Sequence, residues 1–350
     1  MRILIVKLSS IGDIVHALPA VAAVRRSMPG AEISWVVEAR SAEIVRGCPV
    51  VDDVIEIDTR SMRGGKMIEN IVLDMSKQAK LIRRHKYDIA IDFQGLLKSA
   101  VIAKVSGATR SVGFSRAALR EPASRYLLTN TVDVPEKIHV IRKNLHLAAG
   151  ALGFEYDDTN IEFPIATSAE HVAEAEAIID KSGERFAILN PGGGWVTKLW
   201  HAEKFGRLAD RIWAEYGMIS VVATGPNEVE LAEKVATAST TGTLILTQPS
   251  LKGFYELAKS SAVYVGGDTG PTHIAVAAGA PVVGLFGPTE WWRNGSLADG
   301  DLCVRRDDIS CRIDCHRRTC SKWICMDSDV EMVFAAVRQR LERENLRIEN

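Results

Sequence analysis

Short apolar runs alternate with longer amphipathic stretches along almost the whole chain. Ile3–Lys7, Glu32–Val37, Val54–Ile57 and Ile89–Asp92 are rich in β-branched residues and short enough to be buried parallel strands. Between them, Val15–Ser27 and Ile71–His85 carry helical periodicity. The second of these starts acidic near Glu69 and ends basic at Arg83-Arg84-His85, matching the helix dipole. A second series opens at Phe186-Ala187-Ile188-Leu189 and runs through Ile219–Ala223, Thr243–Leu246, Ala262–Val265 and Val282–Phe286. Strands separated by helices in this way predict a parallel α/β architecture.

The chain has 350 residues, enough for two domains that each bury a core. Phe154–Ser168, rich in Asp, Thr and Pro, separates the two series, and a helix-like Ala169–Ser182 follows it. The expected organisation is a first domain over 1–165, a linker and helix over 166–182 and a second domain over 183–328. A terminal helix over 329–350 then has the option of packing back on the first domain. Both domains read as doubly wound, Rossmann-like units facing a central cleft, with ligands beyond the carboxyl ends of the strands.

The turns that end these strands carry the candidate chemistry. Gly266-Gly267-Asp268-Thr269-Gly270-Pro271-Thr272-His273 runs from a strand into a small-residue helix, an arrangement that aims backbone N–H groups at an anion such as a phosphate. Asn190-Pro191-Gly192-Gly193-Gly194-Trp195-Val196-Thr197-Lys198 offers three glycines able to wrap a phosphate and a lysine as point charge. Glu228, after Thr224-Gly225-Pro226-Asn227, is placed either to hold sugar hydroxyls or to start a helix. In the first domain, Asp13 of Lys7-Leu8-Ser9-Ser10-Ile11-Gly12-Asp13-Ile14 reads either as a helix cap or as a general base. Gly12 beside it would let an acceptor approach the backbone. Neither the GxGxxG dinucleotide fingerprint nor a Walker lysine is present, which disfavours hydride transfer.

The formal net charge of −1 hides an asymmetry: between Arg60 and Lys143, 17 Lys and Arg stand against 7 Asp and Glu. That segment reads as a surface for an anionic partner or as a solvated basic face. Few aromatics interleave the charges and no nucleic-acid motif is present, so a phosphorylated or carboxylated small molecule or lipid is favoured over nucleic acid. The apolar start before Lys7 is too short for a signal peptide, and no run is long enough to span a bilayer; a cytoplasmic location is expected. Cys311, Cys315, Cys320 and Cys325, with His316 nearby, read as reduced thiols or as a structural metal site.

Together, Lys7–Asp13, Asp92-Phe93-Gln94-Gly95-Leu96-Leu97-Lys98-Ser99, Gly267–His273 and Phe286-Gly287-Pro288-Thr289 resemble the bacterial heptosyltransferases of lipopolysaccharide core assembly, over nearly the whole chain. Gln94-Gly95 with His139-Val140-Ile141-Arg142-Lys143-Asn144 is most similar to the heptosyltransferase I branch. The resemblance implies a GT-B glycosyltransferase that moves heptose from ADP-heptose to a Kdo-lipid A acceptor with inversion. It needs no cofactor and no metal, and is open to peripheral contact with the inner membrane. Asp13 would be the base and Lys198 would serve catalysis and donor binding, with Gly193, Thr197, Glu228, Asp268, Thr269, Gly270 and His273 also holding the donor. Ser10, Gly12, Arg60, Arg63, Lys66, Gln94 and Arg120 would meet the anionic lipid-linked acceptor. The alternatives are a related transferase using another sugar or acceptor, and a non-catalytic nucleotide-sugar-binding module.

Overall fold

The computed structural model describes residues 1–58, 77–311, 315 and 317–348. It divides into two compact units, Met1–Ala166 and Thr167–Asn350. The first unit holds a parallel sheet of β1 (Arg2–Val6), β2 (Glu32–Glu38), β3 (Asp53–Ile57), β4 (Ile89–Asp92), β5 (Arg110–Phe114) and β6 (Asn130–Val132), in the order β3-β2-β1-β4-β5-β6. Ile3, Leu4, Ile5 and Val6 on the central strand are fully buried, as expected where helices cover both faces of a parallel sheet. The helices described in this unit are α1 (Ile11–Val15), α2 (Leu18–Ser27), α3 (Leu97–Val105) and α4 (Val140–Leu152), with a further helical segment over 77–82.

The second unit repeats the topology. Its strands are β7 (Phe186–Asn190), β8 (Ile219–Ala223), β9 (Leu244–Thr247), β10 (Val263–Gly267), β11 (Val282–Leu285) and β12 (Leu302–Val304), in the order β12-β11-β10-β7-β8-β9. In both sheets the order reverses beside the first strand, at β1/β4 and at β7/β10. These are the switch points where a doubly wound sheet opens a crevice for ligands. The helices are α5 (Ala169–Ser182), α6 (Ala202–Tyr216), α7 (Val229–Ala238), α8 (Leu251–Lys259), α9 (Gly270–Ala277), α10 (Trp291–Asn294) and α11 (Val330–Ile348). Two parallel Rossmann-like sheets in one chain are the GT-B architecture.

Three differences from the sequence reading have physical causes. The predicted helix Val15–Ser27 is split, because Pro19 opens α2 as a fresh helix after the short α1. Strands β5, β6 and β12 escape the apolar pattern; β6 is the sheet's edge and exposes both Asn130 and Thr131. The terminal helix belongs by its contacts to the second unit: Val333, Phe334, Val337 and Leu341 join the core built by Trp200, Phe205 and Leu285. There Arg340 pairs at 3.0 Å with Asp301, both almost fully buried, and Asp301 also accepts from the Val282 N–H. The helix over 169–182 likewise packs within the second unit, on α8. Among the described residues no helix is long and apolar enough to cross a membrane.

Candidate functional site

At the β1 switch point the chain turns from Val6 into α1. Ser10 is the N-cap and Asp13 the third helical residue. The Ser10 N–H and hydroxyl both donate to Asp13 Oδ2, each at 2.9 Å. Asp13 is therefore the capping-box partner of Ser10, three residues inside the N-cap position of the plainer sequence reading. It is also accessible: its side chain stays 43% exposed, with Oδ1 3.8 Å from Lys7 Nζ. The turn engages Oδ2 of this carboxylate.

Lys7 is a neighbour of Asp13 that the sequence pattern does not single out. Its ammonium is buried, donates to the Phe93 carbonyl at 2.9 Å, and raises the local positive potential beside Asp13. Gln94, expected to meet the acceptor, instead directs its side-chain oxygen to the N–H groups of Leu8 and Ser9, at 3.0 and 3.3 Å, and so fixes the turn. Gly12 is helical and buried. Below this turn lies Asp92, fully buried. Burial pushes its carboxyl up to about 6, against the opposing hydrogen bonds from Gly95, Ser99 and Gln94. Arg120 is exposed in the segment between two short 3-10 turns. Arg60, Arg63, Lys66 and His316 lie outside the described residues, as does the start of the predicted helix Ile71–His85.

The second unit gathers the denser cluster, at the β7/β10 switch point. Lys198 Nζ lies 2.6 Å from Asp268 Oδ2 and also donates to the Asp268 carbonyl at 3.1 Å. His273 Nε2 meets Asp268 Oδ1 at 3.1 Å, and Asn294 Nδ2 reaches Asp268 Oδ2 at 3.3 Å. Burial alone would raise the Asp268 carboxyl; the His273 hydrogen bond and the Lys198 charge outweigh it and hold it well below the usual range. Thr269 is the N-cap of α9 and Gly270 its first residue. The Thr269 hydroxyl makes no capping bond, so the helix presents N–H groups that its own cap does not satisfy.

Close backbone approach explains two glycines here. A Cβ on Gly267 would lie 2.7 Å from the Lys198 carbonyl oxygen, and one on Gly193 would lie 2.7 Å from Thr269 Cγ2. The loop after β7 therefore sits directly against the turn after β10, with no room for a side chain at either glycine. Glu228 ties a third turn to them, accepting from the N–H of Gly193 and of Gly225, both at 2.8 Å. Each carboxylate oxygen still has a second lone pair. Thr197 departs from expectation: its buried hydroxyl donates to the Arg317 carbonyl at 2.6 Å, an anchor inside the fold rather than a group held out to a ligand.

Sequence reasoning missed Asn294, Trp195 and Arg318. Lys198 Nζ lies 4.5 Å from the centre of the Trp195 ring, and the Arg318 guanidinium carbon lies 5.0 Å from it. Asn294 sits on α10, too short for periodicity to reveal, and Arg318 is remote in sequence from its ring partner.

The four clustered cysteines line one small cavity of about 20 Å³ together with Thr197 and Arg317, and all are free thiols. Burial, then the neighbouring Cys315, raises the Cys325 thiol. The N–H groups of Trp323 and Lys322 lower that of Cys320. Among the described residues no group of three or more His, Cys, Asp and Glu is arranged to hold a metal ion. Asp301 is committed to Arg340, and Asp327 to Lys204 at 2.5 Å.

Comparison with known proteins gives this geometry a context. The model of glycosyltransferase family 9 (heptosyltransferase) matches residues 75–324. Lipopolysaccharide heptosyltransferase 1 of Pseudomonas aeruginosa is 30% identical over 323 residues, covering 92% of this chain and 88% of that protein. The protein of the same description from Escherichia coli K12 is 28% identical, over 87% of this chain and 93% of its own length. The solved E. coli heptosyltransferase WaaC with ADP superposes with a TM-score of 0.74 at 25% identity, over 87% of this chain and 93% of that one.

Proposed function

The chain belongs to glycosyltransferase family 9, the heptosyltransferases, and we propose that it transfers a heptose from ADP-heptose to the Kdo-lipid A inner core with inversion. The observation that carries the donor half is the Lys198–Asp268–His273 cluster at the start of α9. It sets a cation and free helix N–H groups at a switch point, and the WaaC relative is solved with ADP.

On this reading the second unit holds the donor. N–H groups of Thr269 and Gly270, with Lys198, receive the charge that grows on the departing diphosphate. Preorganised donors of this kind contribute about 3–4 kcal/mol each to a transition state. Gly193 packs close enough to Thr269 for loop and helix start to enclose the phosphates together. Glu228, its oxygens each retaining a lone pair, accepts from the ribose hydroxyls. Asp268 orients Lys198 and His273 rather than meeting the phosphates itself, since a buried anion there would repel them.

The first unit carries the acceptor and the base. Asp13, fixed through one oxygen by Ser10, takes the proton of the attacking hydroxyl as the bond from the anomeric carbon to ADP breaks. A positioned base contributes roughly 10²–10⁴-fold in rate. Ser10, Gly12 and Gln94 act by shaping the turn that aims this carboxylate. Arg120, with Arg60, Arg63 and Lys66, supplies positive charge for an acceptor bearing carboxylates and phosphates. Such an acceptor is membrane-embedded, so the enzyme works at the cytoplasmic surface of the inner membrane.

The test is a donor panel. Purified protein is incubated with Kdo-lipid A and, separately, ADP-heptose, ADP-glucose, UDP-glucose and GDP-mannose, and the lipid is weighed by mass spectrometry. Gain of one heptose from ADP-heptose alone is expected. Transfer from a different donor would point to a related transferase, and ADP binding without any transfer to a non-catalytic module.

A further inference from the structure

The lysine of the donor cluster is already paired with a carboxylate. Lys198 is matched by Asp268, which is almost completely buried and held ionised, so the pair is close to neutral. The start of α9 adds roughly half an elementary charge. A departing nucleoside diphosphate carries considerably more negative charge than that. Among the described residues, Arg318 is the further cation that shares the Trp195 ring with Lys198.

Arg318 is exposed, yet its position is built. The neighbouring Arg317 carbonyl accepts the buried Thr197 hydroxyl at 2.6 Å, one residue from Lys198. The four-cysteine cavity that Thr197 and Arg317 also line packs beneath the same stretch. Gly287 leaves no room there for a side chain, because a Cβ would lie 2.5 Å from Met326 Sδ and 3.0 Å from Cys325 Sγ. Arg317 is thereby docked on the donor loop, and Arg318 beside it brings a guanidinium to the ring on which the donor lysine already rests. A guanidinium stacks on an aromatic face and still keeps its planar fork of N–H groups for phosphate oxygens.

We propose that Arg318 is a second cation for the donor's diphosphate, held beside Lys198 by their common partner Trp195. The inference rests on the donor reading above and extends it to a residue outside the expected set. It gives the Thr197–Arg317 hydrogen bond a role in positioning that cation.

The experiment is calorimetric titration of the full-length protein and its Arg318→Ala and Arg318→Lys variants with ADP and with AMP. For Arg318→Ala, the Kd for ADP is expected to rise about tenfold while that for AMP, which lacks the second phosphate, stays within about twofold. Arg318→Lys is expected to recover part of the loss, and thermal unfolding to be unchanged because the side chain is exposed. Equal ADP affinity in parent and Arg318→Ala protein would overturn the proposal. So would a parallel loss for AMP, which would mark Arg318 as a support for the Trp195 loop. A parent protein that binds no ADP would sink the donor reading itself, a result distinguishable from either.

Discussion

Lys198 and the buried Asp268 form an ion pair at 2.6 Å between the loop after β7 and the turn after β10. Asp268 meets His273 through its other oxygen, so one carboxylate orients a lysine and a histidine that lie 75 residues apart. Such a pair is costly to break from one side, since the partner left behind is a desolvated charge.

Lys198→Ala is therefore expected to act on both stability and catalysis. Loss of the lysine leaves Asp268 with His273 and Asn294 as partners, which lowers Tm. Removing a preorganised cation from the leaving group is also expected to slow turnover about 10²-fold. Thermal unfolding and steady-state kinetics on the same preparation check both. A variant with normal Tm and normal turnover would show that Lys198 is merely a lysine on a loop.

Gly267→Ala probes the contact between the two turns without touching a charge. The added methyl would fall 2.7 Å from the Lys198 carbonyl, a backbone atom, so the loop must move. Titration with ADP is expected to show binding weakened about tenfold. Gly30→Ala serves as control, because a Cβ there meets nothing within 4 Å.

Asp92 gives the fold a pH signature. Its native pKa of about 6 lies above that of an unfolded aspartate, near 3.9. Between those values the folded state binds the extra proton, so this group makes stability fall as pH rises from about 4 to 6. Asp268 has the opposite sign: its folded value is depressed, and its contribution is lost only as pH falls below about 4. Asp92→Asn keeps an acceptor for the N–H groups of Gln94 and Gly95 and is expected to flatten Tm against pH between about 4 and 6. A slope unchanged from the parent would show that Asp92 is ionised throughout.

Much of this was legible in the sequence because parallel strands buried on both faces leave continuous apolar runs; β4 and β8 fall where the pattern puts them. The glycine turns were equally visible, since the switch points fall where strand and helix patterns meet. What stayed hidden depends on contacts across the chain. Gln94 reads as a ligand-facing amide until Leu8 and Ser9 are seen donating to it, and Thr197 as a donor contact until the Arg317 carbonyl is seen beside it. The pattern of α11 shows one apolar face but not which core it covers. Arg318 and Trp195 are more than a hundred residues apart, and no local spacing links them.

Asp13 offers the sharpest test, because it is at once the Ser10-capped residue of α1 and the proposed base. Turnover and ADP affinity are measured together for Asp13→Asn, which can still accept from the Ser10 N–H and so preserves the cap. Turnover is expected to drop roughly 10²–10⁴-fold while ADP affinity stays unchanged. A folded Asp13→Asn protein that turns over at the parent rate would show the carboxylate to be a helix cap and nothing more.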